Sequence, residues 1–390
     1  MSDNVTELGL DSAPKRKGFV KKIIALVLVT AIVLAVLAIL LFGGGFNLDN
    51  LRRWVKYMNV SDGSGYGSYS FDSHSSNRYA AFEDGLAVAS VSGLNTYDEN
   101  GNERHVLQEQ TSLPELMVRN QMAMVYDVGG NALLALHAHD GEVLRLSESR
   151  PILDADLSSG GYICLSSSAS GYKSVLSVYN DEQVLIYRWL SSTTYIPQCA
   201  ISSDGKTMVA IGLGQNDGVF ESSLYFFQTN SEEIQAQVSL GSDLVYDVLF
   251  ADDDTVCAIG ETGVQYINLR GEHLGTYLYE EPFLKDYDAG GNGFLALSLN
   301  MYRAGNRYTL VTVDDKGEKL SSVYIGQEIL DLSAGGRYVA VLTSEGLTIY
   351  TSNLTVYDET IETGNASSVV MREDGSVLLL GNGEGRLYIP

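Results

Sequence analysis

The chain has few cysteines, few prolines and few basic residues, and each shortage excludes a class of protein. Its 390 residues include three cysteines, an odd number that excludes a disulfide-dense secreted scaffold. Lysine and arginine number 25 against 49 aspartate and glutamate residues, which leaves a formal net charge of −24 at pH 7. Because this charge repels the phosphate backbone, we expect no nucleic-acid partner.

The six prolines contrast with 40 glycines and 24 tyrosines, a balance that favours β-strands joined by tight turns. Hydrophobic residues make up 45% of the chain and aromatic residues 9%. This content excludes a disordered acidic chain and is enough for a large core. The length allows one large domain or two ordinary ones.

One long apolar run lies near the N-terminus. Among the twenty residues of Ile23–Phe42, Thr30 alone is polar, and a helix of that length spans the roughly 30 Å hydrocarbon core of a bilayer. We therefore predict a transmembrane helix over residues 23–42, with the lipid bilayer as its partner. A cleaved signal peptide is the alternative, because Gly43–Gly45 could form a cleavage site, although the apolar core of signal peptides is shorter.

Basic residues flank this run unequally. Five precede it: Lys15, Arg16, Lys17, Lys21 and Lys22. Three follow it within a similar distance: Arg52, Arg53 and Lys56. The positive-inside rule then predicts a cytoplasmic N-terminus and an extracytoplasmic C-terminal part. With three acidic residues the first 22 residues carry +2, so the rest of the chain carries −26.

A short helix and a flexible linker are expected after the apolar run. Leu48, Leu51, Val55 and Met58 recur at spacings of three and four residues, which predicts a helix that lies at the membrane surface or packs as a stalk on the following domain. Residues 62–70 (DGSGYGSYS) have the composition of a Gly/Ser linker.

From about Arg78 the chain repeats a pattern of four short strands separated by Gly-containing turns. The second strand of each repeat is the most apolar, and eight such runs begin 36 to 48 residues apart, at Leu86, Met122, Tyr162, Thr207, Thr255, Phe294, Tyr338 and Val377. Four-stranded repeats of this period are typical of a β-propeller. We predict an all-β, eight-bladed β-propeller; seven blades are the alternative, if the second repeat merges with its neighbour.

The last repeat contains only three strands before Pro390. We expect Tyr69–Ser73 to supply the fourth, because a blade built from both termini closes the ring and leaves no long exposed edge. The predicted organisation is a cytoplasmic tail (1–22), a transmembrane helix (23–42), a juxtamembrane helix and linker (43–66) and the propeller (67–390).

Two segments carry a resemblance to known propellers. ISSDGKTMVAIG (Ile201–Gly212) and RYVAVLTSEGLTIYTSNL (Arg337–Leu354) resemble blades of the WD40-like and quinoprotein-like superfamily. NLDNLRRWVKY (Asn47–Tyr57) and the stretch Ser70–Gly101 resemble an uncharacterised bacterial family. The resemblance, which covers essentially the whole chain, implies a single-pass membrane protein with an extracytoplasmic propeller of unknown function.

The sequence lacks the motifs of the common chemistries. Quinoprotein propellers would need one tryptophan per blade, yet the chain has only Trp54 and Trp189. It contains neither a Gly-x-Ser-x-Gly elbow nor a Gly-x-x-x-x-Gly-Lys phosphate loop. His137 and His139 would share one strand face, but no third metal ligand is identifiable, so an exposed strand end is favoured. We predict no enzyme, catalytic residue, cofactor or metal site.

Two further groups of residues have competing interpretations. Cys164 and Cys199 could be bonded, but three small buried thiols, with Cys257 the third, are favoured. The runs Asp252–Asp254 and Asp314–Asp315 resemble fragments of calcium loops without the complete ligand set, so hairpin turns are favoured.

Six aspartates are candidate lining residues of the central channel. Alignment by the first turn of each repeat places three at one position of the first strand, namely Asp154, Asp247 and Asp286. It places three more two residues further on: Asp156, Asp288 and Asp331. Such an acidic ring would favour a cation or a basic peptide; in the alternative interpretation the carboxylates cap nearby backbone amides.

The predicted function is a membrane-anchored, extracytoplasmic module that binds a protein or another ligand. The insertions Gly212–Ser222 and Asn300–Arg307 are candidate docking loops, or simply long hairpins. Two alternatives are an extracytoplasmic lyase or hydrolase that uses the acidic channel, and a structural component of an envelope assembly.

Overall fold

The structure is a computed structural model that describes residues 22, 24–34, 48–58 and 66–390. The predicted tail (apart from Lys22), residues 23 and 35–42 of the predicted span and most of the linker lie outside the described residues. Contacts divide the chain into two units, Met1–Met58 and Asn59–Pro390.

The described residues of the first unit form two helices. Helix α1 covers residues 24–34, and all of its side chains are exposed. Its one hydroxyl is satisfied within the helix, because Thr30 Oγ1 donates to the Leu26 carbonyl at 2.8 Å. Helix α2 covers Leu48–Tyr57, where the apolar spacing predicted a helix. Among the described residues, no helix is both long enough and apolar enough to cross a membrane.

The second unit is an eight-bladed β-propeller, which confirms the predicted fold. Its described residues form eight antiparallel sheets of four strands each. Blades 1 to 4 comprise β2 (Arg78–Phe82), β3 (Gly85–Ser90), β4 (Gly93–Tyr97) and β5 (Glu103–Gln108); β6 (Pro114–Arg119), β7 (Met122–Asp127), β8 (Ala132–His137) and β9 (Gly141–Ser147); β10 (Ile152–Leu157), β11 (Ile163–Ala169), β12 (Tyr172–Tyr179) and β13 (Leu185–Ser191); and β14 (Tyr195–Ile201), β15 (Thr207–Asn216), β16 (Val219–Gln228) and β17 (Ile234–Ser239).

Blades 5 to 8 continue in the same order around the ring. They comprise β18 (Val245–Phe250), β19 (Thr255–Gly260), β20 (Gly263–Asn268) and β21 (His273–Leu278); β22 (Phe283–Gly291), β23 (Phe294–Asn300), β24 (Tyr308–Asp314) and β25 (Lys319–Ile325); β26 (Ile329–Gly335), β27 (Tyr338–Thr343), β28 (Gly346–Thr351) and β29 (Val356–Thr360); and β30 (Ser368–Met371), β31 (Val377–Gly381), β32 (Glu384–Tyr388) and β1 (Ser68–Ser70).

The core lies between the blades. The second strands β3, β7 and β19 are buried at every residue, because a neighbouring blade covers each face of the sheet, and this explains their unbroken apolar sequences. The outer strands β5 and β17 alternate between exposed and half-buried residues. Burial is therefore greatest at the second strands and low at the outer strands of the rim.

The N-terminal strand closes the ring as predicted, although over different residues. In blade 8, β1 pairs with β32 in the register Ser68↔Arg386, Tyr69↔Gly385 and Ser70↔Glu384. The expected strand ran to Ser73, but its partner β32 begins only at Glu384, after a turn in which Asn382 and Gly383 have φ of 56° and 81°. The strand therefore begins one residue earlier than expected, at Ser68, and ends at Ser70.

Strand polarity gives the disc two different faces. Because the four strands of a blade are antiparallel, the loops between second and third strands share one face with the connections between blades. We call this the entry face and the opposite one the exit face.

Both predicted insertions lie on the entry face. The first is an extension of β15 and β16 around the turn Asp217–Gly218, where both φ angles are positive (51° and 80°). The second is the loop 301–307 between β23 and β24.

Replacement of Tyr69 by alanine should destabilise the propeller. Tyr69 is buried and packs edge-on against Tyr97 of blade 1, with ring centroids 6.3 Å apart, so its truncation loosens the strand that joins the two ends of the ring. We expect a loss of about 3 kcal/mol in the free energy of unfolding, measured by urea denaturation of the full chain. Ser68→Ala, at an exposed position of the same strand, should leave the midpoint unchanged; equal midpoints for both variants would show that β1 does not hold the ring closed.

Candidate functional site

The six predicted aspartates lie on the innermost strands of four blades. Asp154, Asp247, Asp286 and Asp331 are equivalent, because each directly follows a β-bulge in its strand. Asp331 was therefore assigned to the wrong position by the sequence alignment; the residue equivalent to Asp288 in blade 7 is Ser333. Alignment by turns failed here because β22 contains a second bulge between Asp288 and the turn that joins β22 to β23.

In blades 2 to 4 these carboxylates join neighbouring blades. Asp154 Oδ2 accepts a hydrogen bond from the Cys199 amide at 2.8 Å, and Asp156 Oδ2 accepts one from the Ile201 amide at 2.9 Å. Both donors belong to β14 of the next blade. Asp154 Oδ1 also accepts a hydrogen bond from the Tyr126 hydroxyl of blade 2 at 2.8 Å. A single carboxylate therefore connects three blades.

The same arrangement recurs in blades 5 to 8. Asp247 Oδ2 accepts from the Tyr287 hydroxyl of the next blade at 2.6 Å. Asp288 Oδ2 accepts from the Ala334 amide at 2.8 Å, and Asp331 Oδ2 from the Val369 amide at 2.7 Å. Asp286 Oδ1 accepts from the amide of its neighbour Tyr287 at 2.9 Å. The bonds from the Ala334, Val369 and Tyr287 amides are of the kind that the capping interpretation requires.

Burial makes the inner ring a poor environment for negative charge. It raises the pKa of Asp154 to about 7, with the charges of Asp247 and Asp156 contributing to that value. It also raises the pKa of Asp286 to about 7, with the Asp331 charge adding to the effect. Burial likewise raises the pKa of Asp247 and of Asp331, each to about 6.

One arginine partly offsets this effect. Burial raises the pKa of Asp156 and of Asp288, while the positive charge of Arg119 lowers the pKa of both.

In the described part of the chain, no group of three or more His, Cys, Asp or Glu side chains could hold a metal ion.

The histidine pair and the aspartate runs lie on the exit face. His137 Nδ1 is 3.1 Å from Asp140 Oδ2, and the rings of His137 and His139 are 5.7 Å apart. Asp252 Oδ1 accepts from the Asp254 amide at 2.7 Å, and Asp314 Oδ1 from the Lys316 amide at 2.9 Å. Both aspartate runs thus form local turns of the kind that the sequence favoured.

A groove that the sequence did not reveal lies on the entry face between blades 6 and 7. It encloses about 570 Å³, and its walls come from the end of β25, the loop between β27 and β28, and the end of β29. Two large apolar side chains on its rim are unusually open to solvent: Tyr324 is 61% exposed and Ile361 is 85% exposed. The groove is therefore a concave surface that displays apolar groups.

The walls of the groove are acidic. Three exposed glutamates line it, Glu345, Glu359 and Glu362, and its described lining includes no lysine or arginine. Gln327 Nε2 donates to Glu345 Oε2 at 3.1 Å, which connects the loop of blade 7 with the connection from blade 6. The groove thus combines a negative wall with an apolar rim.

The predicted insertion 300–307 adjoins this groove. The hydroxyls of Tyr302 and Tyr324 both interact with Arg307 and raise the pKa of its guanidinium. Asn300 Nδ2 donates to the Gly305 carbonyl at 2.8 Å, and Asn300 Oδ1 accepts from the Tyr302 amide at 2.9 Å, so one buried side chain shapes the loop. The groove was missed because its residues come from three separate segments; the isolated Ile361 in a polar connection was the one available signal.

The raised aspartate pKa values predict that the propeller is more stable in mild acid. A folded-state pKa of about 7 for Asp154 and Asp286, against an ordinary aspartate pKa of 3.8, means that the folded state binds more protons between those limits. The free energy of unfolding is therefore highest near the acid end of this window and falls as the pH rises through 7.

Thermal melting of the full chain should show a lower melting temperature at about pH 8 than at about pH 5. The double variant Asp154→Asn, Asp286→Asn removes two of the titrating groups, so its melting temperature should depend less steeply on pH. Identical slopes for the two proteins would rule out these aspartates as the source of the dependence. Glu182→Gln, an exposed site on the exit face, should keep the native slope.

Solved structures with the same architecture share little sequence with this chain. The C-terminal WD40 domain of Sif2 matches with a TM-score of 0.59 and 11% identity over 82% of this chain and 97% of that one. The Dos1 propeller matches with 0.58 and 11% over 84% and 97%, and the computationally designed Ika8 protein with 0.57 and 12% over 83% and 99%. At such identities the likeness shows the fold alone.

No curated protein matches the sequence. A family model matches residues 59–382, which comprise nearly the whole propeller. The chain therefore belongs to DUF5711, a family of unknown function, with a WD40-like β-propeller fold.

Proposed function

We propose that this chain is a membrane-anchored, extracytoplasmic protein-interaction module whose partner binds the groove between blades 6 and 7. The observation that carries the proposal is the combination of exposed Tyr324 and Ile361 with three glutamates in one concave surface. Exposed apolar groups grouped in a cleft and rimmed by polar residues are typical of binding sites.

The partner segment is expected to be basic and apolar. Glu345, Glu359 and Glu362 attract lysine and arginine side chains, and the excess negative charge of the whole propeller steers such a segment toward the disc. Tyr324 and Ile361 would cover its apolar side chains. An open groove of about 570 Å³ suits a short extended segment better than a folded domain.

The propeller contributes rigidity to this site. Each wall of the groove begins or ends at a strand that is paired within its blade, and the Asp288 carboxylate joins the inner strands of the same two blades. A partner therefore meets a surface whose geometry is already fixed, which reduces the entropy lost on binding. Recognition loops on rigid scaffolds commonly work in this way.

Membrane anchoring is supported by the sequence around α1. The twenty residues of 23–42 are almost entirely apolar and follow a basic segment, which favours insertion with a cytoplasmic N-terminus. The described part of this segment exposes apolar side chains on all sides, a pattern suited to lipid contact. The propeller would then lie outside the cytoplasm.

The proposal gives the propeller no catalytic role. An enzyme that uses the inner aspartates is less well supported, because their oxygens accept hydrogen bonds from neighbouring amides and hydroxyls. If the chain is instead a structural component of an envelope assembly, it would use the same groove, and the identity of the partner would differ.

Site-specific cross-linking in cells should detect the partner at the groove. We expect a photoreactive amino acid at Tyr324 to capture one discrete protein, whereas the same group at Leu320 should not. Leu320 is a matched control because it is exposed on the same side of β25 but near the exit face. Mass spectrometry should place the cross-link in a segment that contains lysine or arginine beside apolar residues; equal capture at both positions, or an acidic segment, would refute the groove.

Removal of negative charge from the groove should weaken this capture. Glu345→Gln with Glu362→Gln should reduce the cross-linking yield at Tyr324 about tenfold, since two charge-assisted contacts are lost. Glu182→Gln with Glu373→Gln removes the same charge from exposed sites of the exit face and should leave the yield unchanged. A similar drop in both double variants would mean that overall charge, and not the groove, attracts the partner.

The anchor is tested by membrane fractionation of the full chain. The native protein should resist alkaline carbonate extraction, whereas Leu28→Arg with Ile32→Arg should release it, since each arginine near a helix centre costs about 3 kcal/mol of insertion free energy. The matched variant Leu28→Ala with Ile32→Ala should stay in the membrane fraction. Release of the native protein into the soluble fraction by carbonate would contradict the proposed membrane anchor.

A further inference from the structure

Two cysteines from different blades meet inside the propeller. Cys164 lies on β11 of blade 3 and Cys199 on β14 of blade 4, and their sulfur atoms are 3.4 Å apart. Both thiols are buried and reduced in the structure. The contact crosses the blade interface, so a bond between these atoms would join two blades covalently.

Neighbouring bonds hold the two strands in place. The Cys199 amide donates to Asp154 Oδ2 at 2.8 Å, and the Ser166 hydroxyl of β11 donates to the Ile196 carbonyl of β14. The thiols themselves lie in a closed apolar cluster with Met208 and Phe227. A disulfide bond is about 2.05 Å long, so the sulfurs must approach by roughly 1.4 Å, a distance that small side-chain rotations can supply.

We propose that Cys164 and Cys199 are a thiol oxidation site and form an inter-blade disulfide when the chain folds in the presence of a small-molecule or protein disulfide. One thiolate attacks the reagent disulfide and releases a thiol; the other thiolate then attacks the resulting mixed disulfide and releases the second. The Cys164–Cys199 bond forms, the reagent bond breaks, and two electrons and two protons pass to the reagent.

Burial controls when this reaction takes place. Its hydrogen bond with Cys164, together with burial, raises the pKa of Cys199 well above its ordinary value. Burial also raises the pKa of Cys164. Few thiolates therefore exist in the folded propeller, and an external disulfide has no path to them, so the bond forms before blades 3 and 4 close and is then protected.

The third cysteine provides an internal control. Cys257 lies on β19 at the position of blade 5 that corresponds to Cys164, and it is equally buried. The chain has no fourth cysteine to pair with it. Oxidation during folding should therefore modify one pair and leave Cys257 reduced.

The test is a thiol count on the full chain, independent of any binding partner. The protein is unfolded, refolded with mixtures of glutathione and glutathione disulfide, and alkylated in denaturant. Under oxidising mixtures we expect one alkylated cysteine, Cys257, and a linked pair of peptides that contain Cys164 and Cys199. Three alkylated cysteines at every mixture, or a disulfide that includes Cys257, would overturn the proposal. The same alkylation, applied to protein isolated without reductant, counts the free cysteines a second time without a refolding step.

Variants separate the bond from other redox effects. Cys257→Ala should keep the linked peptides, and Cys199→Ser should abolish them. Oxidation should raise the melting temperature of the native chain by on the order of 5 °C, whereas the Cys199→Ser protein should melt at the same temperature in oxidising and reducing buffers. An equal shift in both proteins would show that the disulfide is not its cause.

Discussion

Each blade depends on its two neighbours, because a four-stranded sheet with two apolar faces cannot bury either face alone. The second strands show this most clearly: β3, β7 and β19 are buried at every position, which happens only when sheets pack on both sides. The ring must therefore close, and the pairing of β1 with β32 makes the first and last parts of the propeller mutually dependent. Closure gives a stable disc without any single large core.

The polar bonds of the inner ring complement this packing. Neighbouring inner strands lie side by side without a common hydrogen-bond ladder, so their amides need other acceptors. Aspartate side chains supply them: Asp154 reaches Cys199, and Asp331 reaches Val369. The same burial that makes these bonds strong makes the charges costly, because a buried carboxylate loses its hydration. The centre of the disc is thus well bonded but sensitive to the ionisation of its aspartates.

Sequence patterns predicted what repeats and missed what does not. The eight second strands, the number of blades and the strand donated by the N-terminus followed from apolar runs and turn dipeptides, since these are local signals of strand and turn. The position of Asp331 was wrong because bulges change the count of residues between a turn and a strand position without any mark in the sequence. The groove was missed because Tyr324, Glu345 and Ile361 meet only in the folded ring.

Blade packing and the groove impose separate demands on the sequence. Propellers with 11% identity share this fold, because many apolar sequences satisfy the packing between blades. Ile361, 85% exposed, contributes almost nothing to that packing, and a single exposed apolar residue would need no explanation. Its position in one cleft with Tyr324 and three glutamates is a different matter, since exposed apolar side chains that share a cleft lower solubility and Ile361 adds almost nothing to blade packing. The residues that folding does not require are therefore those in which to seek the function of this family.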